Sequence, residues 1–271
     1  MSDYDEKKEI LRQKMKENAQ SDCIVAFSGG VDSSLLLKLA CEAADKTGRK
    51  VYAVTMQTRL HPVQEIEHAG KVAAEIGAEH KVLSVDELME AGIEENPTDR
   101  CYRCKKLLFG RIKEMAEKLD VPTILEGTNE EDLHVYRPGL RAIKELGIHS
   151  PLAEAGFTKK EVRMLAQEYG LSVSSHPAMP CLATRFPYGT KLSYEKLRKV
   201  EQGEVFLKKM GLYNVRLRVH DTIARIETDT DSFPIMLQHK EKIISYMKGL
   251  GYQYVTLDME GFRSGSMDIF K

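Results

Sequence analysis

The sequence predicts an α/β protein built on a parallel sheet and followed by a smaller C-terminal α+β domain. Three observations carry this. Short apolar runs of buried-strand type recur at 23–27 (CIVAF), 51–56 (VYAVTM), 81–85 and 123–128 (TILEGT). Amphipathic helical stripes alternate with them, and that alternation implies parallel strands covered on both faces. The pattern then breaks at SSHPAMPCLATRFPYG, where three prolines and one glycine among 16 residues fit neither a helical nor a strand period. We read this stretch as a long loop leaving the sheet domain. The expected domains are therefore 1–185 and 186–271.

Each element has its own signal. Ile10, Leu11 and Met15 share one face of a first helix within 7–17. After the strand 23–27, Leu35, Leu36, Leu39, Ala40 and Ala43 form the stripe of a second helix, and 51–56 closes a βαβ unit. A helix over 63–76 stops at Gly77. Strand 81–85, helix 105–119 and strand 123–128 follow. Thr158 and Glu161 make a T-x-x-E capping box for a helix that Gly170 ends. Beyond the loop the order is helix 194–210, strands 215–219 and 222–227, helix 234–248 and strand 252–257.

Composition narrows the classes of function. The 271 residues are 42% hydrophobic and 30% charged, with no tryptophan, a globular profile. Forty Lys+Arg against 41 Asp+Glu leave a formal charge of -1, so the broad cationic field that attracts nucleic acid is missing. No stretch approaches the roughly 18 apolar residues that span a bilayer, and the opening MSDYDEKKEILRQKMKEN has no signal core. The expected location is the cytoplasm. An odd count of five cysteines in a reducing compartment argues for metal, redox or nucleophilic use of any that cluster, as Cys101 and Cys104 do.

The chemistry begins between the first strand and the second helix, at Ser28-Gly29-Gly30-Val31-Asp32-Ser33-Ser34. Two glycines let backbone N–H groups approach an anion at a helix N-terminus, and Ser28, Ser33 and Ser34 add hydroxyls. The lysine of a G-x-x-x-x-G-K-[ST] loop is missing, so the phosphates are held differently. SGGVDSS resembles the PP-loop of the ATP pyrophosphatase superfamily, which implies cleavage of ATP between the α and β phosphates. Asp32 is the expected organiser of Mg²⁺. Glu126-Gly127-Thr128-Asn129, with Glu131 and Asp132, follows a strand and is the expected second wall of the nucleotide site.

Adenylation makes an oxygen into a leaving group that nitrogen or sulfur can replace. No glutaminase-like half is expected within the sequence, so sulfur is the better candidate. Cys101, Cys104 and Cys181 leave several readings open. Cys-x-x-Cys at a loop-to-helix junction directs two thiolates to one side, as iron–sulfur centres use them. Zinc would prefer a fourth protein ligand, with His176 the nearest candidate, and a redox pair would give Cys181 no role. Cys23 and Cys41 read as small core residues.

SGGVDSS, DRCYRCK, EGTN, YRPGLRA, PCLATRFPYG, VRLRVH with ARIE, and GFRSGSM together resemble a LarE-type ATP-dependent sulfur transferase over nearly the entire chain. The resemblance implies adenylation of a pyridinium biscarboxylic acid mononucleotide and its conversion to thiocarboxylates for a nickel-pincer nucleotide. It also implies either a [4Fe-4S] cluster held by Cys101, Cys104 and Cys181, or sacrifice of the Cys181 sulfur in a single turnover, with a homo-oligomer, a hexamer, as the assembly. Neither the motifs nor the resemblance names the sulfide source. A tRNA thiolase of the same superfamily is the competing activity, and a nucleotide-sensing module without turnover is the third reading.

Alternation in VRLRVH puts Arg216 and Arg218 on one strand face, a fork for a substrate phosphate or carboxylate, with Arg185 and Arg263 as further candidates. Arg137 and Arg141 read as loop tethers. The eight histidines make no metal signature, although His134, His176 and His220 fall near motifs.

Overall fold

The computed structural model describes residues 2–61, 64–135, 137–175, 181–263 and 265–267. The chain divides into two compact units, Met1–Ala91 with Asp99–Met179, and Gly92–Thr98 with Pro180–Lys271. This division falls six residues before the boundary expected from the sequence, and it assigns the 92–98 segment to the second unit.

In the first unit, α1 (Asp3–Asn18) leads into β1 (Cys23–Ala26), α2 (Val31–Asp45), β2 (Val51–Gln57), α3 (Gln64–Ile76) and β3 (Glu79–Ser84). A short α4 (Glu87–Glu90) precedes α5 (Arg100–Leu119) and β4 (Thr123–Leu125). Three further helices follow: α6 (Gly139–Glu145), α7 (Pro151–Glu154) and α8 (Lys159–Glu168). The four strands are all parallel in the order β3-β2-β1-β4. The chain winds outward from β1 to β3, then returns to add β4 on the other side of β1. This reversal opens a crevice at the carboxyl ends of β1 and β4, the place where open α/β sheets bind ligands.

Alternation along β1 divides the core in two. Cys23 and Val25 pack with Leu35, Leu36, Leu39, Phe157, Val162 and Leu165 on the face of α1, α2 and α8. Ile24 faces the other way, toward Phe109, Ile112, Ala116 and Ile143 of α5 and α6. Two buried faces explain why these strands read as continuous apolar runs.

Helix α5 begins at Arg100, five residues before the start that the apolar stripe predicts. Both cysteines of the Cys-x-x-Cys pair therefore lie within its first turns instead of at a loop-to-helix junction. The polar run DRCYRCKK hides this start, because the first turn of a helix need not be apolar to form once its later turns pack. The short helices α4, α6 and α7 escape sequence reading for the same reason: each spans too few residues to show a period.

In the second unit, Cys181 precedes a 3-10 turn at Leu182–Arg185. Then come α9 (Tyr194–Lys208), β5 (Val215–His220), β6 (Ile223–Thr228), α10 (Phe233–Gln238), α11 (Lys240–Gly249) and β7 (Tyr254–Leu257). The helix expected over 234–248 is two helices, interrupted at His239. β5 and β6 form an antiparallel hairpin, and β7 joins β6 in parallel. Gly203 of α9 lies so close to the sheet that an added Cβ would stand 2.5 Å from Leu217 Cδ2.

The capping box appears as read: Thr158 Oγ1 accepts from Glu161 N at 3.3 Å, while Glu161 accepts from Thr158 N at 2.8 Å. Glu161 also pairs with Lys7 of α1 at 3.0 Å. Thr158→Ala should lower stability by about 1 kcal/mol, read as a shifted urea midpoint with an unchanged slope.

Candidate functional site

A cavity of about 640 Å³ opens at the carboxyl ends of β1, β2 and β4, within the first unit. One wall is the loop after β1. Gly30 caps α2 without a side-chain acceptor, so the first-turn N–H groups of that helix are left for a ligand. Ser28 and Ser33 hold the loop in shape, their hydroxyls 3.2 Å apart, and Ser33 Oγ donates to Gly30 O at 3.1 Å.

The glycines of this wall answer to close packing. Gly29 takes φ +74°, and a Cβ there would meet Ala69 Cα of α3 at 2.9 Å. A Cβ on Gly127 would stand 3.0 Å from Ser33 N and 3.2 Å from Asp32 Cβ. The loop is thus held between α3 and the segment after β4, with little room for a Cβ at either glycine. Ser28, Gly30, Asp32, Ser33, Gly127, Thr128 and Asn129 all line the cavity. Gly29 and Ser34 do not. Gly29 faces α3, and Ser34 is fully buried one helical step away from the opening.

The second wall is built by Glu126. Its buried carboxylate accepts Thr128 N at 3.1 Å and Thr128 Oγ1 at 2.9 Å, and takes the Ser150 hydroxyl as well. These bonds fold the strand end back and aim Asn129 at the first wall. Asn129 Nδ2 donates to Asp32 at 3.1 Å.

Sequence reasoning missed Lys159. It sits at the first position of α8, inside the capping box, and forms an ion pair with Asp32. Its place in the cavity depends on the fold alone, and the sequence shows only a lysine in a helix start. Lys105 is a second such cation, lying across Gly139 with its ammonium 3.8 Å from Glu126. Arg137 pairs with Asp132 at 2.8 Å, and Arg163 also lines the opening. Burial, opposed by Arg137, pushes the Asp132 carboxyl above the usual range. Asp32 and Asp132 therefore face one cavity as candidate ligands of a divalent cation, amid cations suited to phosphates.

The apolar floor comes from Ala26, Val54, Met56, Ile66 and α5. On that helix Lys105, Leu108, Phe109 and Ile112 face the cavity. Cys101 and Cys104 stand one turn before Lys105 and Leu108, on the same helical stripe. Cys101 is exposed, and Cys104 is half-buried. Cys23 and Cys41 differ: burial pushes their thiols up to about 12 and about 11. Their neutral burial favours the fold below the unfolded thiol range, near 8.5, and is lost as the pH climbs toward those values.

In the second unit Cys181 is half-buried. Its carbonyl accepts from Thr184 Oγ1 at 2.8 Å and from Arg185 Nη1 at 3.2 Å. Arg185 is itself fixed by Glu204 at 2.8 and 3.0 Å, and Arg218 reaches Thr184 O at 3.0 Å while pairing with Glu227. Arg216 and Arg218 do share one face, yet they differ in use. Arg185 and Arg218 are buried and committed to carboxylates. Arg216 is half-buried against the Phe262 ring at 5.1 Å, and none of the described carboxylates pairs with it. Burial, then Arg185 and Arg218, push its guanidinium below the usual range. An anion there would relieve that imbalance.

Arg263 pairs with Glu260 at 2.6 Å, and Arg141 with Glu145 at 2.8 Å. His176 lies outside the described residues. Among the described residues, no group of three or more His, Cys, Asp or Glu side chains is gathered closely enough to hold a metal ion, and no helix is long and apolar enough to cross a membrane.

A strand–loop–helix cradle at the switch point of a parallel sheet, with no Walker lysine, defines a PP-loop nucleotide-binding protein. The NAD synthase family profile matches residues 3–116. The chain is 38% identical over 244 residues to the pyridinium-3,5-bisthiocarboxylic acid mononucleotide synthase of Lactiplantibacillus plantarum, covering 90% of this chain and 88% of the relative. It is 37% identical to an uncharacterized Synechocystis sp. protein over 264 residues, 97% of each chain. A tRNA-specific 2-thiouridylase of Rickettsia bellii matches at 27% over 195 residues, 58% of this chain and 52% of that one. With that synthase, the chain belongs to the LarE-type sulfur transferase family.

Gly127→Ala should weaken ATP binding by on the order of tenfold, 1.4 kcal/mol, by pushing the cradle at Ser33, as measured by calorimetric titration. In the native protein, maleimide should label Cys101 first and reach Cys23 and Cys41 only on unfolding, as peptide mass mapping would show.

Proposed function

We propose that this protein uses ATP to adenylate a carboxylate of a pyridinium biscarboxylic acid mononucleotide and replaces one oxygen with sulfur, in the cytoplasm, on the way to a nickel-pincer cofactor. The observation that carries this reading is the stripe on α5, where the Cys-x-x-Cys pair continues the cavity wall formed by Lys105, Leu108, Phe109 and Ile112. The floor of the nucleotide cavity and a cysteine-bearing turn share one helix.

The adenine suits the apolar floor, and the triphosphate suits the N–H groups of the loop. Lys159, Lys105, Arg137 and Arg163 offset its charge. A substrate carboxylate oxygen attacks the α-phosphorus, and pyrophosphate leaves. A sulfur nucleophile then attacks the acyl carbon and AMP departs, taking with it the carboxylate oxygen it received. Mg²⁺, held by Asp32 with Asp132 beside it, would neutralise phosphate charge. Lys159 would then be released from Asp32 to the phosphates. Arg216, the guanidinium that none of the described carboxylates pairs with, is our candidate for the substrate phosphate, and Arg185 and Arg218 hold the carbonyls of the Cys181 turn.

We assign the sulfur source to a [4Fe-4S] cluster on Cys101, Cys104 and Cys181, which would supply sulfide at the iron the protein leaves open. The donor set supports this: Cys101 is exposed and Cys104 and Cys181 are half-buried, whereas Cys23 is buried in the core and Cys41 packs against it. A homo-hexamer is the assembly we expect from the family.

Anaerobic purification with iron and sulfide reconstitution tests the assignment. Wild type should be brown and Cys101→Ala nearly colourless; a colourless wild type overturns the cluster. Intact mass after turnover should be unchanged, and loss of H₂S from Cys181 would instead establish sacrifice of its sulfur. Salt-dependent retention of tRNA would point to the thiolase reading.

A further inference from the structure

Behind the phosphate loop lie two polar side chains that the chemistry above does not use, Thr55 of β2 and His80 of β3. β1 ends at Ala26, and the next carbonyl, Phe27 O, accepts the Thr55 hydroxyl at 2.8 Å. The same hydroxyl oxygen lies 2.8 Å from His80 Nε2. A hydroxyl has one proton to give. Because a carbonyl can only accept, Thr55 spends that proton on Phe27, and the bond to the imidazole must be donated by an Nε2–H. His80 is thereby the Nε2–H tautomer. Its Nδ1 is turned toward α3, where a Cβ on Gly70 would meet it at 3.6 Å. Burial pushes the ring below the usual histidine range, which favours the neutral form.

The carbonyl held in this way belongs to the peptide that opens the loop. On the other side of that peptide, Ser28 N donates to Ser33 Oγ at 3.3 Å, and Ser33 Oγ donates onward to Gly30 O at 3.1 Å. Gly30 N in turn donates to Ser28 Oγ at 3.3 Å. The Phe27–Ser28 peptide is thus pinned at both ends, by Thr55 at its oxygen and by Ser33 at its N–H. Phe27 and Thr55 are both buried. A buried carbonyl stripped of its donor carries a desolvation cost, which rotation of the peptide toward another donor would relieve. Thr55 also lines the cavity, but its hydroxyl is committed to these two partners.

We propose that Thr55 and His80 are positioning residues for the phosphate loop: the imidazole orients the Thr55 hydroxyl, and the hydroxyl sets the peptide from which the loop starts. Neither group touches a reacting atom. This inference rests on the functional reading above only in taking ATP as the ligand of that loop.

Thr55→Val keeps the shape of the side chain and removes the hydroxyl, Thr55→Ser keeps the hydroxyl, and His80→Leu removes the donor. Met15→Ala opens a cavity in the core under α1 and serves as a destabilised control. Two measurements apply. Heteronuclear NMR of the ligand-free protein reads the His80 ring nitrogens, assigned by their loss in His80→Leu, and the backbone amide of Ser28. Calorimetric titration with Mg·ATP reads the affinity of the folded protein.

Wild-type His80 should show a protonated Nε2 and a bare Nδ1; the opposite tautomer overturns the proposal. Thr55→Val should displace the Ser28 amide signal and weaken ATP binding by on the order of tenfold, and His80→Leu should weaken it severalfold. Thr55→Ser and Met15→Ala should bind within about twofold of wild type, with the Ser28 signal in place. Wild-type affinity in Thr55→Val overturns the proposal, as does an equal loss in Thr55→Ser or Met15→Ala. The NMR readout needs no nucleotide. A wild type that fails to bind ATP would refute the functional reading, while a Ser28 signal displaced in Thr55→Val and restored in Thr55→Ser would retain this one. A Ser28 signal unmoved in Thr55→Val overturns it in either case.

Discussion

The site depends on one close approach of backbone to backbone. The loop after β1 must lie between α3 and the segment after β4, where a Cβ on Gly29 or Gly127 would crowd Ala69, Ser33 or Asp32. Once that approach is made, the first-turn N–H groups of α2 face the crevice, and Asp32 meets Asn129 and Lys159. A parallel sheet with both faces buried provides the rigidity. The chain's return to β4 provides the second wall.

The same logic explains where the Cys-x-x-Cys pair is attached. α5 packs its apolar stripe on the sheet through Phe109, Ile112 and Ala116. Extending that stripe toward the N-terminus places Lys105 and then the cysteines in line with the cavity. Glu145 secures the helix from its other side, accepting from Tyr102, Lys106 and Arg141. Those three partners hold its carboxyl down at about 2. In the second unit, buried Arg–Glu pairs make little net contribution to stability. Their directional bonds to the carbonyls of Cys181 and Thr184 nevertheless give the cysteine turn a defined shape.

Much of this was legible in the residues. The strand runs, the glycine stops and the T-x-x-E box mark the sheet domain, because burial and capping leave local signatures. SGGVDSS and EGTN mark the cradle for the same reason. The cations Lys105 and Lys159 were hidden, since a lysine on a helix reads as solvent-facing until the fold turns it inward. The start of α5 was hidden by a polar first turn. The division of labour among Arg185, Arg216 and Arg218 was hidden too, because alternation gives the face of a side chain and not its partner.

On our reading, this cavity cleaves ATP between the α and β phosphates by attack of a substrate carboxylate. Heavy-oxygen labelling of the mononucleotide carboxylates tests it most directly. One labelled oxygen should appear in each AMP, in step with pyrophosphate and thiocarboxylate. Release of ADP with inorganic phosphate, or AMP that carries no label, would contradict the account.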